Sequence, residues 1–144
     1  MKELPEMNAA ISPTQSPPVH TGSCLCGGVR FEVSGALRDV VECHCAMCRK
    51  THGHVAAYTA APHAALRFAS ERTLAWYDSS PVARRGFCNT CGASLFWQRA
   101  AADVISIAAG TLDKPTGLQT TLQIFVDDAG DYYTIRRDVP RRVE

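Results

Sequence analysis

The chain has 144 residues, a formal net charge of +1 and 46% hydrophobic residues. One domain of about 100 to 150 residues accounts for that length, and the balanced charge excludes the extended basic face that non-specific nucleic-acid binding needs. No run approaches the ~18 apolar residues of a membrane span, and the opening MKELPEMNAAISPTQSPPVH lacks the basic start and apolar centre of a secretory signal. The expected setting is therefore the cytoplasm, with neither membrane nor nucleic acid as partner. There thiols stay reduced, and clustered cysteines bind metal more often than they form disulfides.

In chain order, residues 1–20 carry four of the eight prolines among Ser, Thr, Asn and Gln and show no hydrophobic period, so they read as a flexible Pro-rich tail. Residues 21–144 then form a single domain. Residues 24–26 and 29–33, separated by Gly27-Gly28, read as two strands about a tight turn. On an extended backbone Cys24 and Cys26 would face the same way. Residues 37–42 read as a strand and 46–51 as a short helical turn ended by Gly53. Segments 54–59, 65–69, 73–77, 84–87, 94–97 and 104–108 are short, apolar or β-branched, and separated by turn residues, which predicts a mainly β domain. The alanine-rich stretch 56–69 has helix propensity, but Pro62 and its β-branched and aromatic neighbours argue for strand. Residues 122–126 and 132–136 read as a closing hairpin across Asp127-Asp128-Ala129-Gly130-Asp131.

The seven cysteines fall into three groups: Cys24/Cys26, Cys43/Cys45/Cys48 and Cys88/Cys91. Disulfide pairing would leave one thiol over, whereas four plus three leaves none. Cys88-Asn89-Thr90-Cys91-Gly92 has the form of a zinc knuckle, and with Cys24 and Cys26 it makes a closed four-thiolate structural site. The C-x-C-x-x-C run of Cys43, Cys45 and Cys48 offers three ligands, and three ligands with a vacant position characterise a catalytic zinc. His52 or His54 could instead close that site, whereas His44, between two ligands, should project away from it. His20 and His63 read as surface or loop histidines rather than ligands. Arg49 and Lys50 follow the last ligand and could hold a substrate anion. Arg84 and Arg85, before the knuckle, could line the same cleft or lie on the surface. A nucleobase deaminase would need an H-x-E motif ahead of P-C-x-x-C, which is absent.

Four segments, G-S-C-L-C-G-G-V-R-F, C-H-C-A-M-C-R-K, G-F-C-N-T-C-G-A-S-L-F-W and A-G-T-L-D-K-P, make the chain resemble the glutathione-dependent formaldehyde-activating enzyme (GFA) family, which shares its domain with centromere protein V. The resemblance runs from Gly22 to about Val126, and all seven cysteines fall on motif positions. It implies a mainly β, Mss4-like fold of antiparallel sheets organised around zinc, and two zinc ions per chain. Cys24, Cys26, Cys88 and Cys91 would hold the structural ion, and Cys43, Cys45 and Cys48 the catalytic one. The implied activity is that of a carbon–sulfur lyase forming or cleaving S-hydroxymethylglutathione, with glutathione, or another small thiol, and an aldehyde such as formaldehyde as partners. A thiolate-rich zinc is a weak Lewis acid that still keeps an incoming thiol deprotonated, which agrees with that chemistry. The competing expectation is a non-catalytic zinc-binding structural or interaction module.

Overall fold

In the computed structural model, which describes residues 16–144, the short apolar segments form ten strands and one short α-helix. The strands are β1 (Val19–Ser23), β2 (Val29–Ser34), β3 (Val40–Cys43), β4 (Ala56–Pro62), β5 (Leu66–Glu71), β6 (Leu74–Ser80), β7 (Ala83–Cys88), β8 (Ser94–Arg99), β9 (Val104–Ala108) and β10 (Thr120–Ile124); α1 (Ala46–His52) follows β3. Of the tail assigned to residues 1–20, residues 1–15 lie outside the described residues, and Val19 and His20 are already part of β1. The alanine-rich stretch is strand, interrupted by a 3₁₀ turn at His63–Ala65. Among the described residues no helix is long and apolar enough to cross a membrane.

Two sheets result, one ordered β1-β2-β5 and one ordered β10-β3-β4-β9-β8-β7-β6. Strict alternation in β2 buries Val29, Phe31 and Val33 and turns Arg30, Glu32 and Ser34 outward, as a strand with one solvated face requires. That inward face meets Leu95, Phe96, Ile105 and Ile107 of β8 and β9, so the principal core lies between the two sheets. Phe96, 1% exposed, is its centre. Its ring takes the edge of Phe31 at 5.3 Å and of Phe68 at 5.7 Å, and stacks on Trp76 at 5.9 Å. Gly22 lies where an added Cβ would run into the Phe31 ring, so β1 can cross there only as glycine. Phe96→Ala is expected to cost about 3–5 kcal/mol, the range for emptying an aromatic core position, read from the denaturant midpoint at constant m value.

Two sequence expectations are corrected. Residues 24–26 are not a strand: β1 ends at Ser23, and Cys24 to Gly27 form a turn in which the Gly27 N–H bonds the Cys24 carbonyl at 3.3 Å. Nor is there a closing hairpin. β10 lies parallel to β3, whereas the other pairings between named strands among the described residues are antiparallel, and residues 132–136 form no strand. The reason is that other backbone occupies the free edge of β10. Gln123 N–H bonds the Pro140 carbonyl at 2.9 Å, and Arg142 N–H bonds the Gln123 carbonyl at 2.8 Å. The Gln123 side chain, 1% exposed, donates to the carbonyls of Arg136 and Val139, fastening the C-terminal segment there.

Candidate metal centres and the adjoining cleft

The turn at residues 24–27 and the end of β7 bring four thiols together. Leu25 is 90% exposed, while Cys24 is buried and Cys26 sits with its sulfur 3.6 Å from those of both Cys24 and Cys88. Cys88 is the last residue of β7, and the chain then folds back so that Gly92 N–H bonds the Cys88 carbonyl at 2.9 Å. Gly92 has φ 77°, a left-handed conformation that glycine adopts without a Cβ clash. This knuckle aims the N–H groups of Thr90 and Cys91 at Cys88 Sγ, each at 3.4 Å, with Thr73 Oγ1 at 3.1 Å; Val29 N–H reaches Cys24 Sγ at 3.3 Å.

The sulfurs of Cys24, Cys26, Cys88 and Cys91 all lie within 4.8 Å of one another. A tetrahedral zinc with ~2.3 Å bonds would have sulfur–sulfur edges of about 3.8 Å. The donor set fits such an ion, and the converging N–H groups fit thiolates rather than thiols.

The second cluster forms where β3 runs into α1. Cys43 ends β3, and Cys45 caps α1 with an extended backbone, its sulfur accepting from the Cys48 N–H at 3.3 Å. A side chain that accepts from the first turn is how an N-cap works, so one contact ends the strand side and begins the helix. Gly53, at φ 74°, closes the helix as the sequence indicates. The sulfurs of Cys43, Cys45 and Cys48 lie within 4.8 Å of one another, a geometry that fits a metal ion held by three thiolates.

His52 and His54, which could have completed this cluster, bond elsewhere, as does His44. His44 is buried and pairs through Nδ1 with the Tyr133 hydroxyl at 2.5 Å; His54 Nδ1 meets the Tyr132 hydroxyl at 2.7 Å. His52 Nε2 is 2.9 Å from the Tyr58 hydroxyl. Among the described residues, the second sulfur cluster includes no histidine.

Instead, Arg85 approaches the thiols. The residue is 4% exposed, and its guanidinium donates from Nη2 to Cys48 Sγ and from Nη1 to the Tyr58 hydroxyl, each at 3.5 Å. Hydrogen bonding from Cys43, and then from Arg85, holds the Cys48 thiol down to about 5 against the opposing effect of burial, while Cys43 as donor is pushed up. Burial pushes the Tyr58 hydroxyl up to about 12, keeping it protonated at neutral pH.

Adjacent arginines on a strand point to opposite faces. Arg84 therefore lies on the other face of β7, 4.1 Å over the Trp76 ring and bonded to Gln98. Arg49 and Lys50 do not line the cleft beside the thiols. The Arg49 stem lies against Gly130, where an added Cβ would be 3.3 Å from its Cδ.

That cleft has a volume of about 380 Å³, and the three cysteines form part of its wall. Its floor follows the sheet register: Arg85 pairs with Trp97, and Trp97 with Ser106, so consecutive strands present one row to the same space. Tyr58 and Arg38 complete the polar side. The sequence offered Arg84 and Arg85 either this cleft or the surface, and gave Tyr58, Trp97 and Arg38 no site role. The one available signal was strand alternation, which separates Arg84 from Arg85 without saying which faces the thiols.

Fold and site together define a class: a mainly β domain with two cysteine clusters, one of four thiols and one of three, each able to hold a metal ion. The family model described as glutathione-dependent formaldehyde-activating enzyme matches residues 19–128, and the chain belongs to that family. A Rhodobacter sphaeroides protein of known crystal structure is similar, with 27% identity and a TM-score of 0.55; the match covers 84% of this chain and 98% of that one.

Proposed function

We propose that residues 21–144 form a GFA-type zinc enzyme of the carbon–sulfur lyase class, which joins a small thiol to an aldehyde and reverses that addition. The observation that carries this reading is the placement of three clustered thiols in the wall of an open cleft, with a buried guanidinium on one of them. The family's description makes glutathione and formaldehyde the first pair to test.

Cys24, Cys26, Cys88 and Cys91 would hold a structural zinc, and Cys43, Cys45 and Cys48 a catalytic one. The catalytic ion would supply the positive charge that keeps an incoming thiol deprotonated near neutral pH. In the synthetic direction the thiolate attacks the aldehyde carbon. The carbon–sulfur bond forms as the carbonyl π pair moves to oxygen, which takes up a proton; the reverse reaction loses that proton and returns the bonding pair to sulfur. Arg85 offsets the negative charge of the thiolate cluster. Tyr58, held between His52 and Arg85, offers its hydroxyl to the oxygen on which charge develops.

Elemental analysis after gentle purification should return two zinc ions per chain, and a clear value of one or zero would overturn the two-centre reading. Exchange between free and hydroxymethylated glutathione, followed by NMR with and without protein, tests the reaction. Acceleration is expected, and its absence across several thiols and aldehydes would leave the cleft without this activity.

A further inference from the structure

The walls of the cleft carry information about the thiol that the cysteines do not. Its non-cysteine lining is dominated by Val41, Met47, Trp97, Ile124 and Phe125, and among the described residues no acidic side chain reaches it. Two of these residues sit exposed at its rim, Met47 at 47% and Phe125 at 37%. Phe125 also has φ 54°, a left-handed backbone that costs a bulky residue free energy. Strained backbone that sets an aromatic ring against a cleft is characteristic of ligand contacts.

Charge in the cleft is equally restricted. Among the described residues the lining contains two cations, Arg85 and Arg38. Arg85 is buried and engaged with Cys48 and Tyr58. Arg38 is exposed; its Nη2 donates to the Tyr58 carbonyl at 3.0 Å and its Nε to the Asp39 carbonyl at 3.2 Å. Nη1 has no such partner among the described residues, so Arg38 can accept one anionic group. The nearby carboxylate on β3 is no substitute for an acidic wall: Val41 and Cys43 face the cleft, so Glu42 faces away from it.

Glutathione matches this lining poorly. It is polar along its whole length and carries a pair of carboxylates and an ammonium group. An ammonium entering this cleft would lose water with no carboxylate in the described lining to receive it, while Arg85 already faces the thiolates, and apolar rings would cover peptide groups without hydrogen-bonding them.

Resting on the thiol-addition reading above, we propose that the cleft is built for a thiol with an apolar, preferably aromatic, body and a single anionic group, the body against Met47, Trp97 and Phe125 and the anion on Arg38. Arg38 and Phe125 are then the residues that determine specificity.

The test uses full-length, zinc-loaded protein and S-methyl thioethers, which cannot undergo the addition: 4-(methylsulfanylmethyl)benzoate, its uncharged amide, and S-methylglutathione. Calorimetry should show the benzoate binding at least about tenfold more tightly than S-methylglutathione. Arg38→Gln should weaken the benzoate by about tenfold and the amide by less than about twofold, while Arg38→Lys restores much of the loss. Phe125→Ala should weaken the benzoate and the amide together. Equal or tighter binding of S-methylglutathione overturns the proposal, as does failure of all three ligands to bind, or an equal effect of Arg38→Gln on benzoate and amide. The wild-type comparison decides the matter even if a variant misfolds.

Turnover of the S-hydroxymethyl adducts of the corresponding thiols separates the two readings. The expected binding order without acceleration of any thiol would defeat the reaction class and leave the specificity standing. Acceleration with glutathione preferred would defeat the specificity alone.

Discussion

Cys88→Ser is expected to leave the domain unfolded at 25 °C. Cys88 is fully buried and accepts hydrogen bonds from two backbone N–H groups, with the Thr73 hydroxyl also in contact. Its cluster fastens the chain just after β1 to the end of β7, 62 residues away. Binding of a structural zinc is linked to folding by ~10 kcal/mol or more, while the stability of a whole domain is only about 5–15 kcal/mol. Losing the ion therefore removes most or all of the margin. A strong chelator should act in the same way on the unaltered protein. Cys48→Ser is the comparison: it should remain folded, retain one zinc ion and lose activity, because its cluster joins only adjacent elements. Circular dichroism melts and zinc analysis would check both variants. A Cys88→Ser protein melting within about 5 °C of the parent would correspond to a loss of only a kcal/mol or two, and would mean that the four thiols do not carry the fold.

Arg85→Met should lower the rate of thiol–aldehyde exchange by about 10²-fold, the scale for losing a charged or hydrogen-bonding group at a reacting centre, with little change in melting temperature. The guanidinium is buried, and its Nε has no hydrogen-bond partner among the described residues, so its desolvation is incompletely offset. Replacing a buried cation with an apolar chain of similar length is often neutral or favourable for stability. The same change should weaken retention of the ion at Cys43, Cys45 and Cys48, since the cation facing Cys48 would be gone. Exchange NMR, thermal melts and competition with a zinc chelator would measure the three effects. Full activity with a large loss of stability would make Arg85 a structural residue.

The corrections to the sequence reading share a cause. Residues 132–136 are aromatic and β-branched like a strand, but whether they pair depends on whether the β10 edge is free, and Pro140 to Arg142 occupy it. Tyr132 and Tyr133 bond His54 and His44 instead. Cys24 and Cys26 do share a site, but a turn rather than an extended strand brings them together.

The sequence by itself determined that this is a mainly β domain with two cysteine clusters, and which cysteines belong to each. The runs are written in short-range spacing, since C-x-C, C-x-x-C and a glycine that permits the turn act within a few residues of chain, and the odd count of seven, four plus three, joined the two distant pairs. Only the tertiary structure decided that Arg85, Trp97 and Ser106 form one row, that Arg38 and Phe125 border the same space, and that His44, His52 and His54 bond tyrosines. These depend on register between strands distant in sequence. A one-residue slip there would exchange the faces of Arg84 and Arg85, and register is set by burial across the whole sheet.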